Sequence, residues 1–393
     1  MNQNYKEHHE PLIRIKKRTD LPVWKAWMIR IFSIVLALLI GAVIFSCLGY
    51  NPIEVYAAMI DGCFGRPLYV RQTIKIAIPL LGAAIAIAPA FRMKFWNIGA
   101  EGQITMGALF ATYFALFYYD KLPHTTLLIV MFFAAMVGGA LWAVIPAVFK
   151  AKWGTNETLF TLMLNYIAIG IVKYLQGGPG EQYPKGTQQI RMFDKAARLP
   201  DLLDVNVGWV IVLALVVFMF VYLKYTKHGY EISVVGESER TARYAGMNVF
   251  KIIVRTMLLS GAIAGIVGFI LVSGINYTLS DTTANGVGFT AITVAWLAKL
   301  NSFGMIIITA LLAVLDKGAS TIQTRFGIPE TAAEMLTGMI LFGMLGSEFF
   351  IRFRMIFRKG GSKTDKGSKT EEPAEPTVIE RVAEQKGKEE QKA

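Results

Sequence analysis

The stretch WMIRIFSIVLALLIGAVIFSCL, residues 27–48, decides the fold. It carries no charge after Arg30, and it is long enough to cross a hydrocarbon core about 30 Å thick as a helix of about 20 residues. Comparable apolar runs follow along the chain. They lie near residues 72–91, 101–119, 125–149, 158–175, 208–223, 256–275, 286–298, 303–315 and 331–351. The sequence therefore predicts an all-α integral membrane protein with about ten transmembrane helices.

The composition is typical of a membrane protein, with 54% hydrophobic and only 17% charged residues. Lipid offers no hydrogen-bond partners, so a spanning segment must bond its own backbone groups, as a helix does. A transmembrane β-barrel would instead show strands of about ten residues with alternating polarity. The apolar runs do not alternate, which disfavours a barrel.

Basic residues flank the apolar runs and account for a net charge of +12. Because Lys and Arg concentrate on the cytoplasmic side of membrane helices, this excess indicates topology and not a nucleic-acid partner. Both termini are predicted to be cytoplasmic, including the N-terminal arm, residues 1–26. The transmembrane domain is predicted to cover residues 27–356. Residues 357–393 are rich in Lys, Glu, Gly and Ser, which predicts a disordered cytoplasmic tail.

Two of the predicted spans, residues 286–298 and 303–315, are shorter than a membrane crossing requires. Transporters use short or discontinuous helices inside a bundle, where the helix ends face a cavity. The short runs therefore favour a transport function. The connection at residues 49–70 is predicted to be an external, partly ordered loop.

The first polar cluster lies in FWNIGAEGQ, residues 95–103, which contains Asn97, Glu101 and Gln103 among glycines. An ionised side chain in mid-membrane costs roughly 2.5–3.5 kcal/mol, so Glu101 must lie at the interface, be paired, or face water. We predict that the three side chains line a substrate pathway. The alternative is an interfacial helix start, with Asn97 as the cap and Glu101 near the positive end of the helix dipole.

A second polar cluster contains Asn156 and Glu157, followed by Asn165 inside the next apolar run. Glu157 and Asn165 are eight residues apart, so they share a helical face. Amide groups offer donors and acceptors that suit ribose hydroxyls and base edges better than bare ions. We predict that these residues also belong to the substrate pathway. Interhelical hydrogen bonding is the competing explanation for Asn165.

The largest internal cytoplasmic connection, residues 224–255, contains ESERTARYAG at residues 237–246. This stretch predicts a short helix. Gly246 is its natural end, because glycine tolerates the left-handed conformation that follows many helices.

Four segments resemble the permease subunits of bacterial simple-sugar and nucleoside ABC importers, within the branched-chain amino acid and ribose-type permease superfamily. They are residues 95–103, 157–168, 243–247 and 286–289. The resemblance covers residues 30–350, and the stretch at 97–103 is similar to the nucleoside branch. The sequence departs from the family pattern at Trp296 and Lys299, where a run of smaller residues is expected.

The resemblance implies an ABC importer permease fold and import of nucleosides across the bacterial cell membrane. It implies a cytoplasmic ABC ATPase that binds ATP and Mg, so this chain binds no cofactor or metal and hydrolyses nothing. It also implies a second permease subunit, identical or homologous, and an extracellular substrate-binding lipoprotein. In such importers a short helix docks on the ATPase. The residues implied for this coupling role are Glu237, Arg240, Arg243, Tyr244 and Gly246.

Other interpretations remain open. An ABC permease for a simple sugar, or for another ribose-bearing or riboflavin-like solute, fits the same motifs. An ion-coupled secondary transporter would use Glu101, Glu157 and Glu334 as protonation sites. An intramembrane enzyme is disfavoured, because the four histidines lie in the N-terminal arm or in loops and build no histidine-based catalytic or metal site inside the bundle.

Overall fold

The computed structural model describes residues 13–17, 22–177, 190–328 and 330–357. Within these ranges the chain forms thirteen α-helices. They are α1 (Val23–Cys47), α2 (Pro52–Phe64), α3 (Pro67–Arg92), α4 (Ala100–Phe117), α5 (His124–Trp153), α6 (Glu157–Gln176), α7 (Gly208–Tyr225), α8 (Lys227–Glu237), α9 (Glu239–Tyr244), α10 (Val249–Ile270), α11 (Val287–Leu297), α12 (Ser302–Phe326) and α13 (Glu330–Arg352).

Two short antiparallel strand pairs accompany the helices. Strand β1 (Ile13–Lys17) pairs with β4 (Phe353–Phe357), and β2 (Asp201–Leu202) pairs with β3 (Val205–Asn206). The first pair belongs to one compact unit of the chain, and residues 20–351 form the other. The predicted disordered tail lies outside the described residues from position 358 onward.

Ten of the helices coincide with the ten apolar runs of the sequence, namely α1, α3, α4, α5, α6, α7, α10, α11, α12 and α13. Among the described residues, seven helical segments are long and apolar enough to cross a membrane. They are Met28–Cys47, Pro67–Arg92, His124–Trp153, Glu157–Gln176, Gly208–Tyr225, Val249–Asn276 and Ser302–Phe326. The prediction of an all-α integral membrane protein is confirmed.

The helix at the ninth apolar run is longer than predicted. Helix α12 covers 25 residues, whereas the hydropathy pattern predicts a short helix that ends near residue 315. Asp316 and Lys317 end the apolar run, but the helix continues to Gly327, whose φ of +66° is the left-handed conformation of a helix end. The eighth run is short as predicted, since α11 has 11 residues.

The connection at residues 49–70 is also more ordered than predicted, because α2 and the first turn of α3 lie inside it. Asn51 caps α2 by accepting a hydrogen bond from the N–H of Ile53, and Pro52 takes the first helical position, where its missing N–H costs nothing. The prediction of a loop is therefore wrong for residues 52–64.

Helix α10 lies at the centre of the bundle and packs against α3, α4 and α5. Its contact with α5 depends on glycine. A Cβ atom on Gly265 would overlap the carbonyl oxygen of Ala135, and one on Gly261 would overlap the carbonyl oxygen of Gly139. Small residues of this kind let membrane helices approach until their backbones touch.

The chain after α10 is discontinuous. Helix α10 continues as a π-helical turn, Leu271–Asn276, and ends at Tyr277, which has a positive φ of 55°. Residues 277–286 are not helical, and Gly286, with φ at +75°, precedes the short helix α11. This is the discontinuous arrangement that the short apolar run predicts.

Candidate functional site

Glu101 joins the beginnings of two helices. Its carboxylate oxygens accept hydrogen bonds from the backbone N–H groups of Gly286 and Gly288, each at 2.7 Å, and the residue is only 4% exposed. These N–H groups lie at the N-terminus of α11, where the helix dipole favours a negative charge. A Cβ atom on Gly288 would overlap the backbone nitrogen of Glu101, so the contact requires glycine there. Glu101 therefore anchors α11 to α4.

Asn97 and Gln103 form a buried pair of amides. The Gln103 Nε2 group donates to Asn97 Oδ1 at 3.1 Å, and Asn97 Nδ2 donates to Gln103 Oε1 at 3.3 Å and to Ser260 Oγ at 3.4 Å. Asn97 Oδ1 also accepts from the N–H of Gly99, the residue before α4. Asn97 thus organises the turn that leads into α4, with its polar atoms engaged inside the bundle.

Asn165, near the middle of α6, binds the same turn from the other side. Its Nδ2 group donates to the carbonyl of Ile98, and its Oδ1 accepts from the N–H of Gly102, both at 2.9 Å. Thr161 Oγ1 accepts from the N–H of Ile98 at 3.2 Å. The interhelical hydrogen bonding considered for Asn165 is therefore present.

Asn156 and Glu157 lie at the start of α6, apart from the buried cluster. Asn156 is exposed and caps α6 by accepting hydrogen bonds from the N–H groups of Thr158 and Leu159. The Glu157 carboxylate pairs with the Lys150 ammonium at 2.8 Å. The six predicted pathway residues thus form two groups: Asn97, Glu101, Gln103 and Asn165 are buried together, and Asn156 and Glu157 are not among them. Their part in a pathway stays a prediction.

The predicted coupling segment contains two helices, α8 and α9, separated by Ser238. The Ser238 hydroxyl accepts a hydrogen bond from the N–H of Thr241 and caps α9. At the other end, the N–H of Gly246 bonds the carbonyl of Arg243, and the N–H of Met247 bonds that of Ala242, both at 3.0 Å. This is a Schellman ending, and Gly246 adopts the left-handed conformation with φ at +76°. The predicted helix end at Gly246 is confirmed.

The exposed side of the segment carries the residues assigned to coupling, which are Glu237, Arg240, Arg243, Tyr244 and Gly246. Tyr244 is 92% exposed, an unusual exposure for a large aromatic side chain. Only Ala242 of α9 is buried. A rigid, exposed helix with two arginines and an aromatic ring is suited to binding another protein.

The coupling segment contacts the end of α3. The Arg92 Nε group donates to Ser233 Oγ at 2.9 Å, and a Cβ atom on Gly236 would overlap the carbonyl oxygen of Arg92. A cavity of about 220 Å³ lies beside this contact, lined by residues of α5, α6, α8, α9 and α10 and of the connection before α4. The turn that holds Asn97 therefore begins where α8 packs.

Residues 69–345 match the protein family described as the branched-chain amino acid transport system permease component. The chain belongs to this permease family. Among its relatives are the glucose ABC transporter permease protein TsgB13 of Haloferax volcanii and the guanosine ABC transporter permease protein NupP of Bacillus subtilis. The permease is 32% identical to TsgB13, with 87% of this chain and 93% of the relative covered, and 31% identical to NupP, with 84% and 95% covered.

A third relative, the nucleoside ABC transporter permease protein NupB of Lactococcus lactis, is 28% identical over 80% of this chain and 89% of its own. The permease is thus a multi-pass membrane transport subunit of an ABC transporter and not an enzyme. Its family implies an ATPase partner and a substrate-binding protein.

Sequence reasoning missed the partners of Glu101 and Arg92. For Glu101, the sequence offered one signal, the glycines Gly286 and Gly288 in a segment that resembles the family. Glycine has no polar side chain, so these positions did not indicate hydrogen-bond donors. Ser233 and Gly236 gave no signal, because their contacts with α3 bridge distant parts of the sequence.

Proposed function

We propose that this permease is the membrane subunit of an ABC importer that moves nucleosides into the cell. The observation that carries the proposal is the sequence identity of 31% to NupP and 28% to NupB, two nucleoside permeases, over most of the chain. The stretch NIGAEGQ, residues 97–103, supports it through its resemblance to the nucleoside branch, and α4, α6, α10 and α11 meet around this stretch. A simple sugar is the second candidate, on the strength of the 32% identity with the glucose permease TsgB13.

The anchored half-helix α11 is the element expected to move. Glu101 binds its N-terminus, and the ten residues before it are not helical. Such a segment is able to change its tilt without breaking a continuous helical ladder. Opening and closing of the pathway then consists of movements of α4 and α11 as one unit about the Asn97 turn.

The coupling segment transmits the movement. The exposed face of α9 docks on the ATPase, and α8 passes the displacement to α3 through Ser233 and Gly236. The end of α3 leads directly into the turn that carries Asn97, and this turn leads into α4, which carries Glu101. ATP-driven closure of the ATPase pair is thereby connected to the buried cluster through a short series of packed contacts.

The remaining parts of the importer follow from this assignment. The chain lies in a bacterial cell membrane with both termini in the cytoplasm, as its flanking basic residues indicate. It assembles with a second permease subunit, an extracellular lipoprotein that delivers solute, and the ATPase that holds ATP and Mg. Ion coupling through Glu101 is disfavoured, because both of its oxygens already accept backbone hydrogen bonds.

Reconstitution in liposomes tests the proposal. The full complex of permease, ATPase and lipoprotein is expected to accumulate radiolabelled guanosine when ATP is enclosed with the ATPase, and to be inhibited by unlabelled nucleosides more than by glucose. Guanosine uptake driven by a proton gradient without any ATPase would replace this function with secondary transport. Accumulation of glucose but not of guanosine would favour the sugar assignment.

A further inference from the structure

The non-helical segment that precedes α11 ends near the middle of the bundle. Its end, Gly286, donates a hydrogen bond to Glu101, whose neighbour Gly102 donates one to Asn165, near the middle of α6. Asn97, in the turn before α4, bonds Ser260, near the middle of α10. Asn285 is exposed at this level. Non-helical backbone at membrane depth persists only where it is buried in protein or lines a water-filled cavity. The exposed face of this segment therefore borders water or protein and not lipid.

The same face continues along α11. Phe289 and Trp296 are seven residues apart, about two helical turns, so they lie on one side of the helix. They are 41% and 43% exposed. These exposed rings continue the exposed face that begins at Asn285.

Trp296 is stacked on a second tryptophan. Its ring centroid lies 5.4 Å from that of Trp96, with an angle of 22° between the planes, and Trp96 is 46% exposed. The buried ring of Phe91 supports both, at 5.9 Å from Trp96 and 6.2 Å from Trp296. The pair therefore offers flat aromatic surface that is fixed in position before any ligand arrives.

The two rings belong to the two segments that Glu101 joins. Trp96 immediately precedes Asn97, whose amide is fully buried, and Trp296 ends the half-helix that Glu101 anchors. Any movement of α11 relative to the Asn97 turn would change the stacking.

We propose that Trp96 and Trp296 form a stacking platform that receives the planar base of a nucleoside during its passage. The proposal rests on the nucleoside function proposed above and adds the part of the solute that is recognised. Stacking suits a transport pathway, because every base has a π face and aromatic side chains bind bases without requiring a particular hydrogen-bond pattern. The platform therefore predicts acceptance of several nucleosides.

The test uses 2-aminopurine riboside, a fluorescent purine nucleoside whose emission falls when its base stacks. Binding is measured on the permease–ATPase complex in liposomes, without the lipoprotein, so that only the membrane part is titrated. Trp296→Leu and Trp96→Leu are expected to weaken binding roughly tenfold to a hundredfold, the range that loss of one stacked aromatic ring produces. Trp296→Phe keeps a ring and is expected to bind within about fivefold of the wild type.

The matched control is Trp24→Leu, which removes an exposed tryptophan from the first turn of α1 and is expected to leave the affinity unchanged. Wild-type affinity in both Trp296→Leu and Trp96→Leu, in a complex that still imports nucleosides, would overturn the platform and leave the proposed function standing. An equal loss of affinity in Trp296→Phe and Trp296→Leu would also overturn it, because an aromatic ring at this position would then not contribute to binding. A wild-type complex that imports no nucleoside would instead overturn the proposed function.

Discussion

Replacement of Glu101 by Gln tests whether this carboxylate holds the half-helix in place. The substitution removes the charge and converts one acceptor oxygen into an NH2 donor, so one of the N–H groups of Gly286 and Gly288 is left facing a donor. A hydrogen bond to a charged group contributes about 1.5–3 kcal/mol, and a buried donor without an acceptor costs about 1–3 kcal/mol. We expect Glu101→Gln to cost about 2–4 kcal/mol at the start of α11.

Hydrogen exchange followed by mass spectrometry measures this cost directly. Because every 1.4 kcal/mol is a factor of ten, peptides that contain residues 286–289 should exchange roughly thirty to several hundred times faster in the variant. Peptides from α5 should be unchanged, and guanosine uptake should fall. The matched control is Glu54→Gln. Glu54 is exposed and accepts one hydrogen bond from Asn51, and a glutamine at this position can accept the same bond. Unchanged exchange at residues 286–289 in Glu101→Gln would refute the anchoring role.

Three further predictions concern other parts of the molecule. Gly246→Val should abolish uptake while leaving membrane insertion intact, because a β-branched residue at φ +76° costs at least about 1–2 kcal/mol and distorts the end of α9; normal uptake would argue against docking there. Gly265→Leu should prevent folding of the bundle or lower its melting temperature steeply, since the side chain would overlap the carbonyl of Ala135; a stable variant would contradict the packing of α10 on α5. Burial and the Arg255 guanidinium hold the pKa of His228 below its usual value, so protons favour the unfolded chain as the pH falls below about 6.5. The melting temperature should therefore drop between about pH 7.5 and 5.5, and less in His228→Gln than in the wild type.

The helices of this permease are predictable from the sequence because each spanning helix satisfies its own backbone, so a local apolar run is sufficient evidence. Helix ends are less predictable. The end of α9 is predictable because Gly246 is a glycine, and that prediction is confirmed. The end of α12 is not, because the charged residues Asp316 and Lys317 end the apolar run while the helix continues.

The polar cluster shows the limit of local reasoning more sharply. The sequence identifies Asn97, Glu101, Gln103 and Asn165 as residues that need partners, because unpaired polar groups are costly in a membrane. It does not identify the partners, which include the Ser260 hydroxyl and backbone groups up to 187 residues away. Only the folded bundle brings Gly288 close enough to Glu101 for a hydrogen bond.

The central claim is that α9 passes the movement of an ATPase to the buried cluster, and a cysteine at Tyr244 tests it most directly. In a chain whose native Cys47 and Cys63 are replaced by Ser, Tyr244→Cys is exposed enough to react with a maleimide–benzophenone reagent, whose benzophenone inserts into C–H bonds of a neighbouring protein on illumination. We predict that it cross-links to the ATPase subunit, that the yield changes when ATP is added, and that the cross-linked complex no longer imports guanosine. Absence of any cross-link to the ATPase in a complex that imports guanosine normally would contradict the claim.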